Sequence, residues 1–130
     1  MNKIHFAIAL HFHQPIGNFE HIFKRAYEYC YRPFIELLSQ YPKLKMTFHI
    51  SGCLLDYLDE KHPQMIKLIK KMVSRKQIEI MAGGYYEPII TAIPQKDLTG
   101  QINMMRGYIR KKFNFTPTGM WIAERVWNTD

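Results

Sequence analysis

Short apolar runs alternate with amphipathic segments along this chain. The apolar runs are rich in residues that favour strands and cover positions 3–12, 44–50, 77–82 and 118–123. Between these runs, apolar residues recur every three or four positions, as in helices that pack one face against a sheet. Alternating strands and helices predict an α/β fold with a parallel sheet and right-handed crossover connections.

The predicted helices cover positions 19–40, 53–60, 63–75 and 97–112. Pro33 lies within the first of them and should force a kink or a restart there. Four strands are about half of a (β/α) barrel, which needs about 250 residues. We therefore expect residues 1–130 to form one domain, the N-terminal portion of a (β/α) barrel with about four β/α units. Its fourth strand would lie at an open edge.

The chain has a formal net charge of +7, with 18 basic and 11 acidic residues among 130, so nucleic-acid binding has to be considered. Part of the excess lies in Lys67, Lys70 and Lys71, on the side of a predicted helix opposite its apolar face. Charged residues in that arrangement usually form a solvated surface. We therefore expect no nucleic-acid partner.

The cysteines and the apolar runs bear on the location of the protein. Cys30 and Cys53 lack the spacing of a zinc ribbon, so we expect free thiols in a reducing compartment. The apolar run at 4–10 is interrupted by His5, has only Lys3 before it and does not lead to a small-residue cleavage site, so it does not match a signal peptide. No run approaches the roughly 20 residues of a membrane span. These features predict a cytoplasmic protein that makes no membrane contact.

Polar side chains collect at the C-terminal ends of the predicted strands, where active sites lie in parallel α/β sheets and barrels. His11 and His13 end the first strand, and His49 and Ser51 end the second. Since side chains alternate along a strand, the two members of each pair point the same way. His11 and His13 could together bind one sugar or one metal ion, and the alternative is a hydrogen-bonded structural pair.

Two glutamates belong to the third strand and the loop after it. Glu79 interrupts an otherwise apolar strand, so we expect it to point into a polar interior and meet the histidines. The alternative is a buried structural carboxylate with a charged partner. Glu87 follows on the loop, where we expect it to shape the loop or contact a sugar rather than perform a reaction.

The fourth predicted strand presents Glu124 between Trp121 and Trp127. Indole faces are flat apolar platforms for pyranose rings, and a carboxylate between them can attack an anomeric carbon. For Trp121, packing in the core is an equally good interpretation. If the extended backbone continues, Arg125 should face away from Glu124.

Three motifs occur in the order and spacing of the first three signature regions of glycoside hydrolase family 57: 11–15 (HFHQP), 77–80 (QIEI) and 121–127 (WIAERVW). The chain resembles that family over essentially its whole length, and most closely its 4-α-glucanotransferase and α-amylase branch. The resemblance implies a (β/α)7 barrel that acts on α-1,4-glucans with retention of anomeric configuration. It also implies that the enzyme needs no cofactor and no metal ion.

Roles for individual residues follow from the same resemblance. Glu124 falls at the position of the catalytic nucleophile, while His11, His13, Glu79 and Trp121 fall at positions that bind the substrate. That substrate would be an α-glucan or a maltooligosaccharide. The motifs leave open whether water or a second glucan resolves the glycosyl-enzyme, and therefore whether the reaction is hydrolysis or transfer.

The general acid/base of the family is an Asp in a region well downstream. Asp130 directly follows the third motif and does not match that region, so we do not assign it this role. Retaining glycosidases need two carboxyl groups that flank the scissile bond. The 130-residue polypeptide by itself is therefore expected to be inactive.

Two other functions stay open. In a metal-dependent polysaccharide deacetylase with a related barrel, His11 and His13 would hold zinc while a carboxylate activates water. Against this, the first strand lacks the neighbouring Asp that such sites usually supply. The other possibility is a non-catalytic fragment whose Trp and His residues bind glucan without cleaving it.

Overall fold

The computed structural model of the chain describes residues 3–128, so Asp130 lies outside the described part. Within that part, three parallel strands form one sheet in the order β1-β2-β3. The strands are β1 (Ala9–Phe12), β2 (Met46–Ile50) and β3 (Ile78–Ile80). The predicted α/β class with parallel strands is confirmed, although each strand is shorter than the apolar run that predicted it.

Helices connect the strands at the predicted places. They are α1 (Glu20–Ala26), α2 (Arg32–Ser39), α3 (Gly52–Lys61), α4 (Pro63–Ser74) and α5 (Gln95–Phe113). Single 3-10 turns occur at Ile90–Ala92 and Ala123–Arg125. None of the helices within residues 3–128 is both long enough and apolar enough to cross a membrane.

Pro33 disturbs the first helical segment without breaking it. A π-helical turn at Tyr27–Tyr31 joins α1 to α2, and the N–H of Arg32 donates to the carbonyl of Tyr27, five residues earlier. Pro33 has no N–H to offer and lies in the first turn of α2, directly after the π turn. The wider π turn accommodates the proline, so the predicted kink or restart takes the form of a π-bulge.

The two faces of the sheet differ in chemistry. One face carries only apolar side chains, which pack against the helices: Leu10, Phe12, Phe48, Ile50, Ile78 and Ile80. Phe48 and Ile80 are at most 1% exposed. The opposite face carries His11 beside His49, and Thr47 beside Glu79. Burial of the first face therefore leaves the polar side chains on the second, which the helices do not cover.

The fourth predicted strand is reduced to a single bridge. Met120 pairs in parallel with Ala82, and the N–H of Trp121 donates to the Ala82 carbonyl at 2.8 Å. A 3-10 turn begins at residue 123, so the backbone leaves the extended conformation directly after this contact. The prediction of a strand at 118–123 is therefore wrong in extent, while its position beside β3 at the edge of the sheet is right.

Gly52, at the start of α3, is packed too closely to accept a side chain. Its N–H donates to the Tyr85 carbonyl at 2.8 Å, and an added Cβ would overlap both that oxygen and the Tyr85 ring. We expect Gly52→Ala to lower the free energy of unfolding by about 1–3 kcal/mol, the usual cost of overpacking. Urea unfolding of both proteins measures this.

Gly100 provides a matched control for that substitution. It lies inside α5, and an added Cβ meets nothing within 4 Å. Gly100→Ala should stabilise the protein by roughly 0.5–1 kcal/mol, because alanine favours a helix. Equal stability of Gly52→Ala and the unmodified protein would contradict the close packing described here.

Candidate active site

Two histidines meet where β1 and β2 end. His11 and His49 are directly opposite each other in the parallel register, and their Nδ1 atoms lie 2.9 Å apart. The ring of His13 follows two residues after His11 on the same side, with 5.6 Å between the two ring centroids. His11 and His13 therefore share a face, as the alternation of strand side chains predicts.

Glu87 lies among these three histidines. Its carboxylate, 7% exposed, contacts His13 Nδ1 through Oε2. Its Oε1 lies 3.5 Å from His11 Nε2 and 3.3 Å from His49 Nδ1. The sequence placed Glu87 on a loop without this contact, and the only signal was a charged residue beside Pro88, shortly after the strand end.

Trp121 covers the histidine pair. Its indole stacks on the His11 ring with 4.4 Å between centroids and an interplanar angle of 13°, and it lies 5.8 Å from the His49 ring. Trp121 is half-buried. It stacks on a histidine ring and also lines the cavity described below, and its contact with a sugar stays a prediction.

Glu124 and Arg125 occupy the 3-10 turn that follows Trp121. Their φ angles are 53° and 57°, in the left-handed region that most residues avoid. The turn is closed by a hydrogen bond from the Arg125 N–H to the Ile122 carbonyl at 3.1 Å. The extended backbone does not continue, so the condition on which Arg125 was predicted to face away from Glu124 is not met. Both residues line the same cavity.

One cavity of about 410 Å³ joins these groups. Four residues predicted to act on the substrate line it, namely His11, His13, Trp121 and Glu124. The other lining residues are Pro15, Ile16, Tyr86, Glu87, Ala123 and Arg125. The cavity opens at the C-terminal ends of the strands, as expected for a parallel sheet.

Glu79 does not meet the histidines. It pairs in register with Thr47, two residues before His49, so its side chain lies one layer below the histidine pair. It accepts a hydrogen bond from the Thr118 hydroxyl at 3.2 Å and lines a separate cavity. The expected convergence of Glu79 with the histidines is therefore wrong, while its role in substrate binding stays a prediction.

Burial controls the charge state of the cluster. It lowers the pKa of His49 to about 3, and the charges of His11 and His13 add to the effect. Burial also lowers the pKa of His11, helped by the charge of His13 and opposed by that of Glu124. The pKa of Glu87 is raised by burial, against the favourable charge of His13. His49 is therefore a neutral ring at neutral pH.

A buried hydrogen-bond network holds the backbone after β1. The Tyr31 hydroxyl donates to the His13 carbonyl and accepts from Gln14 Nε2, both at 2.9 Å. The Gln14 N–H donates to the Ser51 hydroxyl at 3.1 Å. Gln14 and Ser51 are among the few buried polar residues. The network ties the end of β1 to α3 and to the π turn, and so determines where His13 lies.

His11, His13 and Glu87 also have the chemistry of metal ligands. One ligand atom from each lies within 4.8 Å of the others, and two histidines with one carboxylate form a common catalytic zinc set. The first strand lacks an acidic neighbour, as noted above, but the fold brings Glu87 to the histidines from a distant loop. Glu87 thus provides the acidic residue whose absence from the first strand argued against a metal site.

Comparison with known proteins gives consistent results. The profile of glycosyl hydrolase family 57 matches residues 7–130. An α-amylase of Pyrococcus horikoshii is 45% identical over 130 residues, which cover 100% of this chain and 20% of that protein. The crystal structure of 4-α-glucanotransferase from Thermococcus litoralis superposes with a TM-score of 0.95 at 41% identity, covering 98% of this chain and 20% of that one.

A more distant structure shares the fold. A peptidoglycan deacetylase of Bacillus subtilis superposes with a TM-score of 0.62 at 18% identity, over 95% of this chain and 50% of that one. Over the matched residues, the fold is that of the N-terminal part of the barrel in the 4-α-glucanotransferase structure. The chain belongs to glycosyl hydrolase family 57, and it spans about a fifth of the length of the α-amylase and of the 4-α-glucanotransferase named above.

Proposed function

We propose that residues 1–130 form part of a retaining enzyme that acts on α-1,4-linked glucans, as a hydrolase or as a 4-α-glucanotransferase. The observation that supports this most is the cavity in which Glu124, Trp121 and two histidines come together at the strand ends. Membership of family 57 adds support, because relatives bear the names α-amylase and 4-α-glucanotransferase. The substrate is then an α-glucan or a maltooligosaccharide.

In this proposal Glu124 is the nucleophile. Its carboxylate attacks the anomeric carbon, the glycosidic bond breaks, and a glycosyl-enzyme forms that water or a sugar hydroxyl resolves. His11 and His13 bind hydroxyl groups of the same sugar, and the indole of Trp121 packs against the ring. We propose that Glu79 also binds the substrate, at a site one layer below the histidine pair.

The second carboxyl group of the mechanism must lie about 5 to 5.5 Å from the nucleophile and exchange a proton with the leaving group. Glu87 is poorly suited to that task, because its carboxylate is 7% exposed and paired with His13. We therefore assign the acid/base role to the downstream Asp that the family resemblance implies. No cofactor takes part in this scheme.

The experiment is to incubate the protein that carries this chain with a maltooligosaccharide and identify the products. A hydrolase increases the number of reducing ends, whereas a transferase preserves that number and forms longer oligosaccharides. Proton NMR of the first product should show the α-anomer in either case, since both reactions pass through a covalent intermediate. A first product in the β configuration would contradict the proposal.

A metal-dependent deacetylase is the second candidate, favoured by the ligand geometry of His11, His13 and Glu87. In that case the protein should hold one zinc ion per chain and release acetate from an acetylated oligosaccharide, with the activity lost to a chelator. Under our main proposal, turnover of maltooligosaccharides persists in the presence of a chelator. The two functions thus differ in both substrate and metal dependence.

The location is also a proposal. Cys30 and Cys53 are both free thiols, as is usual in a reducing compartment, so we propose that the protein is cytoplasmic. Its basic residues include Lys67, Lys70 and Lys71 on α4, away from the cavity at the strand ends. This arrangement supports a glucan as the ligand rather than a nucleic acid.

A further inference from the structure

We propose that Glu87 is the positioning residue of the substrate site, whose carboxylate fixes the ring orientation and the tautomers of His11, His13 and His49. It acts through the histidines and does not touch the reacting atoms. The identity of the ligand as a glucan rests on the function proposed above. The effect of Glu87 on the rings does not depend on that identity.

The backbone holds Glu87 in a costly conformation. Its φ angle is 52°, in the left-handed region, which residues with a side chain rarely adopt. The N–H of Glu87 donates to the Gly84 carbonyl at 3.1 Å, and a Cβ on Gly84 would come within 2.7 Å of Pro88. A compact turn therefore imposes the conformation, and strain of this kind is concentrated at functional sites.

The two oxygens of the carboxylate serve different rings. Oε2 accepts a hydrogen bond from the Nδ1–H of His13. Oε1 lies between His49 Nδ1 at 3.3 Å and His11 Nε2 at 3.5 Å, but neither contact has hydrogen-bond geometry, and Oε1 has no hydrogen-bond donor among the described residues. This buried oxygen attracts both ring N–H groups, because an unsatisfied carboxylate oxygen in the interior is costly.

The tautomer of His49 follows from its surroundings. Its Nδ1 faces both Glu87 Oε1 and His11 Nδ1, whereas its Nε2 is buried and has no hydrogen-bond partner within residues 3–128. A lone pair on Nδ1 would point at a carboxylate oxygen, so the proton of this neutral ring belongs on Nδ1. His49 then donates to the Nδ1 of His11.

The same carboxylate determines the tautomers of His11 and His13. Because His11 accepts at Nδ1, it carries its proton on Nε2, the atom that faces Glu87. His13 donates from Nδ1 to Glu87, so its Nε2 is left for the cavity. A carboxylate that orients binding histidines in this way commonly changes affinity about 10- to 100-fold when it is removed, as for the outer ligands of metal sites.

The test compares Glu87→Gln with Glu36→Gln, an exposed glutamate on α2. Ring nitrogen-15 NMR of the protein carrying this chain reports the tautomers directly and requires no activity. We expect protons on Nδ1 of His13 and His49 and on Nε2 of His11. Glu87→Gln should redistribute the protons of all three rings, whereas Glu36→Gln should leave the three spectra unchanged.

A kinetic readout accompanies the spectra. With a maltooligosaccharide, Glu87→Gln should raise KM about 10- to 100-fold while kcat changes much less, because the substituted group holds the ligands of the sugar and not the reacting bond. The spectrum of the unmodified protein keeps the proposal testable even if the variant fails to fold. A proton on Nε2 of His49 or His13 in that spectrum would overturn it.

Failure of the proposed function is distinguishable from failure of this inference. If the spectra show the expected tautomers but the protein does not turn over a glucan, the glucan assignment is contradicted and the role of Glu87 is supported. If Glu87→Gln turns over a glucan with unchanged KM and unchanged tautomers, the glucan assignment is supported and the role of Glu87 is contradicted. One tightly bound zinc ion per chain, shown by elemental analysis, would also overturn the inference, because His11, His13 and Glu87 would then hold the metal instead of one another.

Discussion

Glu124→Ala should abolish turnover of α-1,4-glucans by the protein that carries this chain, with kcat reduced on the order of 10⁴-fold or more, as expected when a nucleophile is removed. The variant has no group that can form the glycosyl-enzyme, while the other residues that line the cavity are unchanged. Substrate binding should therefore largely persist. Steady-state kinetics and calorimetry with a maltooligosaccharide measure the two effects separately.

Added azide distinguishes a lost nucleophile from a damaged site. The small anion can enter the space left by the carboxylate and attack the anomeric carbon, forming a carbon–nitrogen bond as the glycosidic bond breaks. We expect partial recovery of substrate consumption and a glycosyl azide product. Glu60→Ala serves as the control, since Glu60 is an exposed residue of α3. Unchanged turnover in Glu124→Ala would remove Glu124 from the nucleophile role.

The second large effect concerns stability in acid. The ring of His49 is 0% exposed, and burial lowers its pKa from 6.5 to about 3, with the charges of His11 and His13 adding to the shift. Below pH 6.5 the unfolded chain therefore binds a proton at His49 that the folded chain does not. Stability due to this group is complete above pH 6.5 and is lost as the pH falls toward 3.

For one such proton, the free energy of unfolding changes by about 1.4 kcal/mol per pH unit. The protein should therefore lose roughly 2 kcal/mol of stability between pH 6.5 and about pH 5. His11, whose pKa is also lowered by burial, acts in the same direction. Glu87 acts in the opposite direction, since burial raises its pKa and the folded chain keeps its proton to a higher pH. Urea unfolding at several pH values gives the net slope.

His49→Gln isolates the contribution of one ring. Its free energy of unfolding should vary less with pH than that of the unmodified protein. Between pH 6.5 and 3, the difference in slope should correspond to at most one bound proton. His5→Gln, at an exposed position, is the matched control substitution. Identical slopes for His49→Gln and the unmodified protein would mean that His49 is not held neutral in the folded state.

The local pattern of apolar and polar residues was sufficient to predict the secondary structure and many of the residues that line the cavity. Helical periodicity predicted α3, α4 and α5 to within about two residues at most ends. The alternation of strand side chains placed His11 and His13 on one face, and it is confirmed. These features depend on neighbours one to four residues apart, which a single sequence displays directly.

Two errors concern backbone conformation at the ends of predicted elements. The extended pattern of 118–123 did not reveal that a turn begins at residue 123, or that Glu124 and Arg125 adopt positive φ angles. Neither residue is a usual choice for the left-handed region. A hydrogen bond from the Arg125 N–H to the Ile122 carbonyl closes the turn, but the residue types in it give no signal of a positive φ angle.

The remaining errors concern register and distant contacts. The motif that contains Glu79 does not show that Glu79 is opposite Thr47, one layer below His49. Glu87 and His11 are 76 positions apart in the sequence and meet only because a loop returns to the ends of the strands. Both facts depend on how strands align and how loops close, which residue types alone do not specify.

The sequence by itself determined the α/β class, the order of the elements, the family, and the placement of His11, His13, Trp121 and Glu124 at one edge of the sheet. Tertiary structure alone decided that Glu87 lies among the histidines, that Glu79 lies a layer away, and that His49 is neutral. The physical reason is that periodicity and motifs record short-range preferences. Charge state and ligand geometry depend instead on burial and on partners brought together from distant segments.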